Sequence, residues 1–316
     1  MTDTAGHVDE LWAPAKLTLS LRVTGVRPDG YHLLESEMVT VDLGDSLVLV
    51  EGDRLTISTE AGPYGQSGTA GWATRSIPTG PDNLVRRALA ATGRKAAVHL
   101  VKRVPPGAGL GGGSADAAAI LRWAGRTDVT LAAGLGADVP FCLSGGRALV
   151  RGIGEVIEPL PYEDRSFLLL LLPLGVDTAA VYRAWDDLVD KGEVAAPWPG
   201  TAARTDTDVN DLEAPALVVE PGLGPWRTLL GEVTGQRPRM AGSGSTFFVE
   251  GTPESCGLGD RRTLTLGGQR GLLVPVRTTP PSPEARSDRV RWVRLRPTPT
   301  SDAGPGPTSN VSRTLG

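Results

Sequence analysis

Between Leu17 and Thr24 apolar and polar residues alternate without a break: Leu17, Leu19, Leu21 and Val23 against Thr18, Ser20, Arg22 and Thr24. A two-residue period puts the apolar side chains on one face, and it predicts a half-buried strand over 11–24. RPDGYH (27–32) follows as a turn, with proline and glycine supplying the bend. Residues 38–52 and 54–59 predict two further strands joined by a Gly-Asp turn, and 60–81, rich in Gly, Pro, Ser and Thr, a loop. The period lengthens in DNLVRRALAATG (82–93), which predicts a helix capped by Asp82 and ended by Gly93. AAVHLVKRV (96–104) returns to strand and hands the chain to a glycine-rich stretch.

After ALVRGIGEVIEPLP (148–161) the pattern restarts. FLLLLLPLGV (167–176) is the longest apolar run, too short to span a bilayer and interrupted by Pro173, so it predicts a buried strand. A helix is expected from about Ala179 to Asp190, a polar loop over 191–208, and a helical stretch from Asn210. MAGSGSTFFVE (240–250) pairs a glycine-serine turn with a strand, and GLLVPVRTT (271–279) predicts a closing strand. Beyond Pro280 the chain turns to Pro, Ser, Thr, Asp and Arg, and 281–316 is expected to be a disordered tail. Strands that follow one another closely favour an α+β fold over a doubly wound parallel sheet.

The stretch VPPGAGLGGGSADAAAIL (104–121) changes the picture most. Glycines at 107, 109, 111, 112 and 113 abut an alanine-rich helix former. Glycine permits positive φ and close approach to the backbone, and a helix N-terminus offers unpaired N–H groups and a positive dipole end. The combination is an anion cradle, most naturally for phosphate. Absence of a following Gly-Lys-Ser/Thr excludes a P-loop. Gly107-x-Gly109-x-x-Gly112 also fits the dinucleotide pattern, but no strand precedes Asp128, the available acidic residue, and the βαβ unit is missing.

Composition narrows the ligand further. A net charge of -4 argues against a nucleic-acid or general polyanion binder, so any anion is held locally. Cys142 and Cys256 offer neither a disulfide framework nor metal-ligand spacing, and MTDTAGHVDE lacks the order of a signal peptide. A soluble, cytoplasmic protein is expected. Phosphoryl transfer needs a cation, a proton-accepting carboxylate and usually Mg²⁺. Lys16, in PAKLTLS, is either that cation or a surface residue. Asp138, a carboxylate entering the apolar segment LGADVPFCLSGG, needs a partner or a function. Gly242-Ser243-Gly244 is either a plain turn or a second backbone surface beside the glycine loop.

Taken in order, PAKLTLSLRVTGVRPDGYHLLESEMVTVDLGDSL, VPPGAGLGGGSADAAAIL, LGADVPFCLSGGRALVRGIGE, NDLE and AGSGST resemble the GHMP small-molecule kinases over roughly residues 10 to 280. RPDGYH and GADVPF narrow the likeness to the branch whose alcohol substrate carries a cytidyl diphosphate. The resemblance implies a two-domain α+β fold: an N-terminal ribosomal-protein-S5-domain-2-like domain over 1–160 and a C-terminal α/β domain over 161–280. It implies that Asp138 takes the proton of the attacking hydroxyl while Lys16 keeps that carboxylate ionised and stabilises charge at the reacting oxygens. Pro106, Gly107, Gly109, Leu110, Gly111, Gly112, Gly113 and Ser114 would wrap the triphosphate of ATP. Asn83 would approach the adenine and Ser114 would contact Mg²⁺. Tyr31, His32 and Tyr182 would hold the cytosine, with Thr18, Thr178, Gly242, Ser243 and Gly244 completing the substrate site.

Asn210 to Glu213 would cap and orient the second half. Three departures from the family pattern are Thr18, where an asparagine is usual, a connection between Ile120 and Gly134 that lacks part of a helix, and residues 251–270, where a compact hairpin is expected in place of a helix. The expected partner is a small-molecule cytidyl diphosphate, with no nucleic acid or membrane, in a monomer or homodimer. A homoserine- or mevalonate-type kinase is the alternative, against which Tyr31, His32 and Tyr182 argue. A silent ligand-binding relative is a second, against which Lys16 and Asp138 argue.

Overall fold

A computed structural model of the chain describes residues 8–59, 77–195 and 209–281. Most of the expected 60–81 and 191–208 loops, and all but the first residue of the expected tail, lie outside the described residues. The first sheet draws on β1 (Asp9–Val26), β2 (His32–Val50), β3 (Leu55–Thr59), β4 (Ala97–Lys102), β5 (Arg147–Gly152) and β6 (Val156–Pro159). Its order is β3-β4-β2-β5-β6, with β1 also pairing β2. The second sheet contains β7 (Ser166–Leu171), β8 (Arg239–Met240), β9 (Phe247–Glu250), β10 (Thr263–Leu266) and β11 (Gln269–Arg277). Its order is β10-β11-β7-β9-β8. Helices α1 (Leu84–Thr92), α2 (Gly112–Trp123), α3 (Val129–Leu135) and α4 (Val139–Ser144) pack with the first sheet, and α5 (Thr178–Asp190), α6 (Glu213–Val219) and α7 (Leu223–Thr234) with the second. This is the expected α+β class.

Three apolar clusters hold the layers together. One lies between the first sheet and α1 to α4, a second between the second sheet and α5 to α7. The third, including Leu17, Leu19, Val41, Phe167, Leu169 and Phe248, joins the two sheets. That arrangement explains the unbroken FLLLLL run. Phe167, Leu169 and Leu171 enter the joining cluster while Leu168, Leu170 and Leu172 face the helices, so β7 is apolar on both faces.

Several expectations need correction. The strands 38–52 and 54–59 do not form a hairpin: β4 inserts between them, antiparallel to β2 and parallel to β3. Pairing of that kind is non-local, and a turn dipeptide carries no information about it. Helix α1 is capped by Asn83, whose Oδ1 accepts from Val85 N at 2.9 Å, rather than by Asp82. Asp128 caps α3, accepting from Thr130 N at 2.8 Å, which disposes of its ribose-binding role. Helix α7 was not anticipated, although Leu223, Trp226 and Leu230 have helical spacing and Gly235 ends it in the left-handed region. The polar face of β1 keeps Ser20, Arg22 and Thr24 partly exposed, as a half-buried strand should, but residues 15–19 are all buried, Lys16 and Thr18 among them. Helix α2 packs against that strand. The compact hairpin expected in 251–270 corresponds to β10 and the start of β11, joined by Gly267-Gly268.

Candidate active site

The glycine loop begins where β4 stops. Gly107, Gly109 and Gly111 all adopt left-handed φ, at 70°, 75° and 67°. A Cβ on Gly109 would run into the carbonyl oxygen of Ala241 and lie 2.9 Å from that of Gly244, so this glycine lets the second loop approach. On Gly111 a Cβ would sit 2.8 Å from Lys16 Cγ. The backbone pins these neighbours: Lys16 N donates to Leu110 O at 3.0 Å, and Thr246 N to Ala108 O at 3.3 Å. Helix α2 starts immediately afterwards, so its unpaired N–H groups and positive dipole end face a cavity of about 480 Å³.

Lys16 is no surface residue. Its side chain is 5% exposed, its Nζ donates to Thr18 Oγ1 at 2.9 Å and lies 3.4 Å from Asp138 Oδ2. A β-bulge on either side of Lys16–Thr18 re-aims this piece of β1, as bulges do beside functional sites. Asp138 reaches the pair from the start of α4. It occupies the N-cap position but makes no capping bond, so its carboxylate, 31% exposed, is left for Lys16 and the cavity.

The cavity lining includes Pro106, Gly107, Gly109 and Leu110 to Ser114 together with Asn83, Lys16, Asp138, Thr178, Tyr182, Gly242 and Ser243. Thr18, Tyr31, His32 and Gly244 do not line it. Thr18 lies buried behind Lys16. Gly244 backs onto Met240, its position for a Cβ being 3.0 Å from Sδ. Asn83 faces the cavity while its Nδ2 donates to Pro78 O at 2.8 Å. The second loop packs onto the first, where a Gly242 Cβ would be 3.2 Å from Lys16 Nζ, and Ser243 Oγ meets Thr178 Oγ1 at 2.8 Å. Asn210 organises that loop, its Nδ2 donating to Met240 O and Gly242 O at 2.9 and 2.7 Å. Asp211 Oδ2 accepts from Val23 N at 2.9 Å, tying the same segment to β1.

Residues 83–146 match the GHMP kinases N terminal domain. The chain is 40% identical over 242 residues to "4-diphosphocytidyl-2-C-methyl-D-erythritol kinase" of Paracoccus denitrificans, covering 75% of this chain and 84% of that protein. A protein of the same name from Rhizobium meliloti is 37% identical, with 84% of this chain and 94% of the relative covered. The chain belongs to the 4-diphosphocytidyl-2-C-methyl-D-erythritol kinase family. A solved structure, "Crystal structure of 4-(cytidine 5'-diphospho)-2C-methyl-D-erythritol kinase", superimposes with a TM-score of 0.56 at 30% identity, covering 85% of this chain and 99% of that one. Methanococcus jannaschii mevalonate kinase, at 10% identity and a TM-score of 0.52, shares the fold over 88% of this chain and 100% of its own.

Beside the cavity, this member of the kinase family carries an aromatic cluster. His32 stands 4.7 Å from the Tyr182 ring and meets Trp185 edge-on at 5.3 Å. Burial, with the charge of Asp138 adding to it, pushes the Tyr182 hydroxyl well above the ordinary phenol value, so it stays neutral. Tyr31, by contrast, is 60% exposed on the β1–β2 turn, with the Arg27 guanidinium 5.9 Å above its ring. The structure therefore brings His32 and Tyr182 together and leaves Tyr31 at the rim. The Cys142 thiol, on the buried face of α4, is pushed up to about 12 by burial and then by Asp138, which makes it unreactive.

Sequence reasoning missed a buried triad in this kinase, Lys102, Asp45 and Asp116. Lys102 Nζ donates to Asp45 Oδ2 and, at 2.7 Å, to Asp116 Oδ2. Asp45 Oδ1 accepts from Arg103 N and Val104 N at 2.5 and 2.9 Å, fixing the chain as it enters the loop. Lys102 supports the loop from below, since a Cβ on Gly112 would be 3.2 Å from its Nζ. One cation between two carboxylates leaves an excess negative charge. Asp116 carries the consequence: burial first, with Asp45 adding to it against Lys102, raises its carboxyl to about 7. A lysine ending a strand and an aspartate in the first turns of a helix are a weak sequence signal, because their distance apart depends on the loop between them.

Proposed function

We propose that this protein is an ATP-dependent kinase phosphorylating the 2-hydroxyl of 4-diphosphocytidyl-2-C-methyl-D-erythritol, in the cytoplasm, for isoprenoid precursor synthesis by the non-mevalonate route. The observation that carries the chemistry is the Lys16–Asp138 contact of 3.4 Å beneath a glycine loop at a helix N-terminus. Asp138 accepts the proton of the 2-hydroxyl as its oxygen attacks the γ-phosphorus and ADP leaves. Lys16, anchored through Thr18 and the Leu110 carbonyl, keeps that carboxylate ionised and offsets charge building on the transferred phosphoryl oxygens. The backbone from Gly109 to Ser114 binds the triphosphate, and little covalent work remains for the protein beyond positioning.

Mg²⁺ is part of the same proposal, and the donor set suits it. Among the described residues no cluster of three or more His, Cys, Asp or Glu could hold a metal unaided. Magnesium in phosphoryl-transfer sites takes one or two protein oxygens and draws the rest from phosphates and water. Ser114, in the first turn of α2 and facing the cavity, is the residue to hold it, and the ion when bound would neutralise phosphate charge. Among the described residues no helix is long and apolar enough to cross a membrane.

The test is ADP release from Mg-ATP with the cytidyl substrate beside homoserine and mevalonate. Turnover is expected with the cytidyl compound alone. Turnover with another alcohol would keep the glycine-loop chemistry and discard the cytosine assignment to Tyr31, His32 and Tyr182.

A further inference from the structure

His32 opens β2 and projects against α5, which meets it with three side chains. Tyr182 covers the ring, Trp185 closes its edge, and Asp186 Oδ1 lies 2.8 Å from Nε2. Tyr182, Trp185 and Asp186 are spaced three and four residues apart on α5, so they share one face of the helix. The His32 side chain is 10% exposed and Asp186 46%, so the carboxylate sits at the solvent side of an otherwise enclosed imidazole.

An ionised carboxylate can only accept, so the hydrogen of this bond resides on Nε2. A neutral imidazole then keeps its lone pair on Nδ1. Trp185, itself buried, packs edge-on against the ring and holds it in the orientation that meets Asp186. We propose that Asp186 is a positioning residue which fixes His32 as the Nε2–H tautomer, so that Nδ1 accepts a hydrogen bond from the exocyclic amine of cytosine and the site selects cytidyl over uridyl groups. Cytosine presents a donor at its 4-position and uracil an acceptor oxygen, so a uracil there would set lone pair against lone pair. Leaving such a pair unmet in a desolvated pocket reduces binding by on the order of ten- to a hundredfold. The inference rests on the cytidyl reading of the site given above, and nothing in the glycine loop or the Lys16–Asp138 pair depends on it.

Its test compares Asp186→Ala and Asp186→Asn with the wild type. An asparagine oxygen still accepts from Nε2–H, so Asp186→Asn is expected to stay within a few-fold of wild type. Asp186→Ala is expected to raise KM for the cytidyl substrate about tenfold, with the loss in KM rather than kcat and no rise in KM for ATP. Preference for cytidine diphosphate over uridine diphosphate, measured by calorimetry, should narrow by a similar factor. Nitrogen-15 NMR of histidine-labelled protein, with His32 assigned through His32→Gln, should show the Nε2–H tautomer in wild type and Asp186→Asn and a mixture in Asp186→Ala. Unchanged KM and base preference in Asp186→Ala, equal loss in both variants, or a His32 that carries its proton on Nδ1 would each overturn the inference. A general folding defect would raise KM for ATP as well. If wild type turns over no cytidyl substrate, the proposed function fails, whereas the tautomer and the diphosphate preference still decide the role of Asp186.

Discussion

At the scale of single residues, the site turns on a lysine placed where a strand pattern calls for a solvated polar side chain. A buried ammonium is held only if it is paired and hydrogen-bonded, and Lys16 has Asp138 on one side and Thr18 on the other. The Thr18 hydroxyl accepts from the lysine and holds it, in keeping with its burial outside the cavity lining. Asp138→Asn is expected to abolish ADP release, a loss of at least a thousandfold on the scale of charge and proton-transfer losses at such sites, while calorimetry still registers the cytidyl substrate. Near-normal turnover in that variant would remove Asp138 from the base role. Asp138 stood out in the sequence because a carboxylate entering an apolar segment is conspicuous, whereas Lys16 fitted the polar face of its strand and drew attention only through the family resemblance. Asp186 and the Lys102 triad did not, since each is an ordinary charged residue until a distant element is brought against it.

At the scale of elements, the strand–loop–helix unit of β4, the glycine loop and α2 depends on two different kinds of constraint. Gly109 is constrained by backbone conformation and by the carbonyl of Ala241 pressed against it. Gly109→Ala is expected to destabilise the protein by more than about 1 kcal/mol and to raise KM for ATP, read from a denaturant midpoint and initial rates. The base of the loop is constrained electrostatically. Lys102→Met would leave two buried carboxylates unpaired and is expected to lower stability by about 3–5 kcal/mol. Asp116 adds a pH signature. Its carboxyl lies at about 7 in the folded chain against an ordinary value of 3.8, so between these values the folded state holds a proton that the unfolded chain has released. Stability therefore falls as pH rises through that window and levels off above it. Urea midpoints at pH 5, 6, 7 and 8 should decline less steeply in Asp116→Asn than in wild type, and parallel slopes would refute the assignment.

At the scale of the whole molecule, the first sheet takes its strands from residues 9–159 and the second from 166–277, and the site lies where they meet. Asn210 and Asp211 tie the two halves together: Leu21 pairs with Asn210, Asp211 holds Val23, and Asn210 carries the second loop. Asn210→Ala frees two buried carbonyl oxygens and is expected to cost about 2–3 kcal/mol. Because the loop it orders touches Lys16, kcat should fall as well, and a stability loss with unchanged kcat would show the tie to be remote from catalysis. Much of this architecture was legible along the chain. The alternation of β1, the glycine loop running into α2, the apolar run of β7 and the entry of Asp138 into an apolar segment are local patterns, and local patterns follow from the backbone periods of helix and strand. The insertion of β4 between β2 and β3, the burial of Lys16 and Thr18 on the polar face of β1, and the meeting of His32 with Asp186 across 154 positions were not legible. Such contacts pair segments whose sequences carry no mark of each other, and which partner covers a given face is settled by how the sheets and helices pack together, not by the residues of either segment alone.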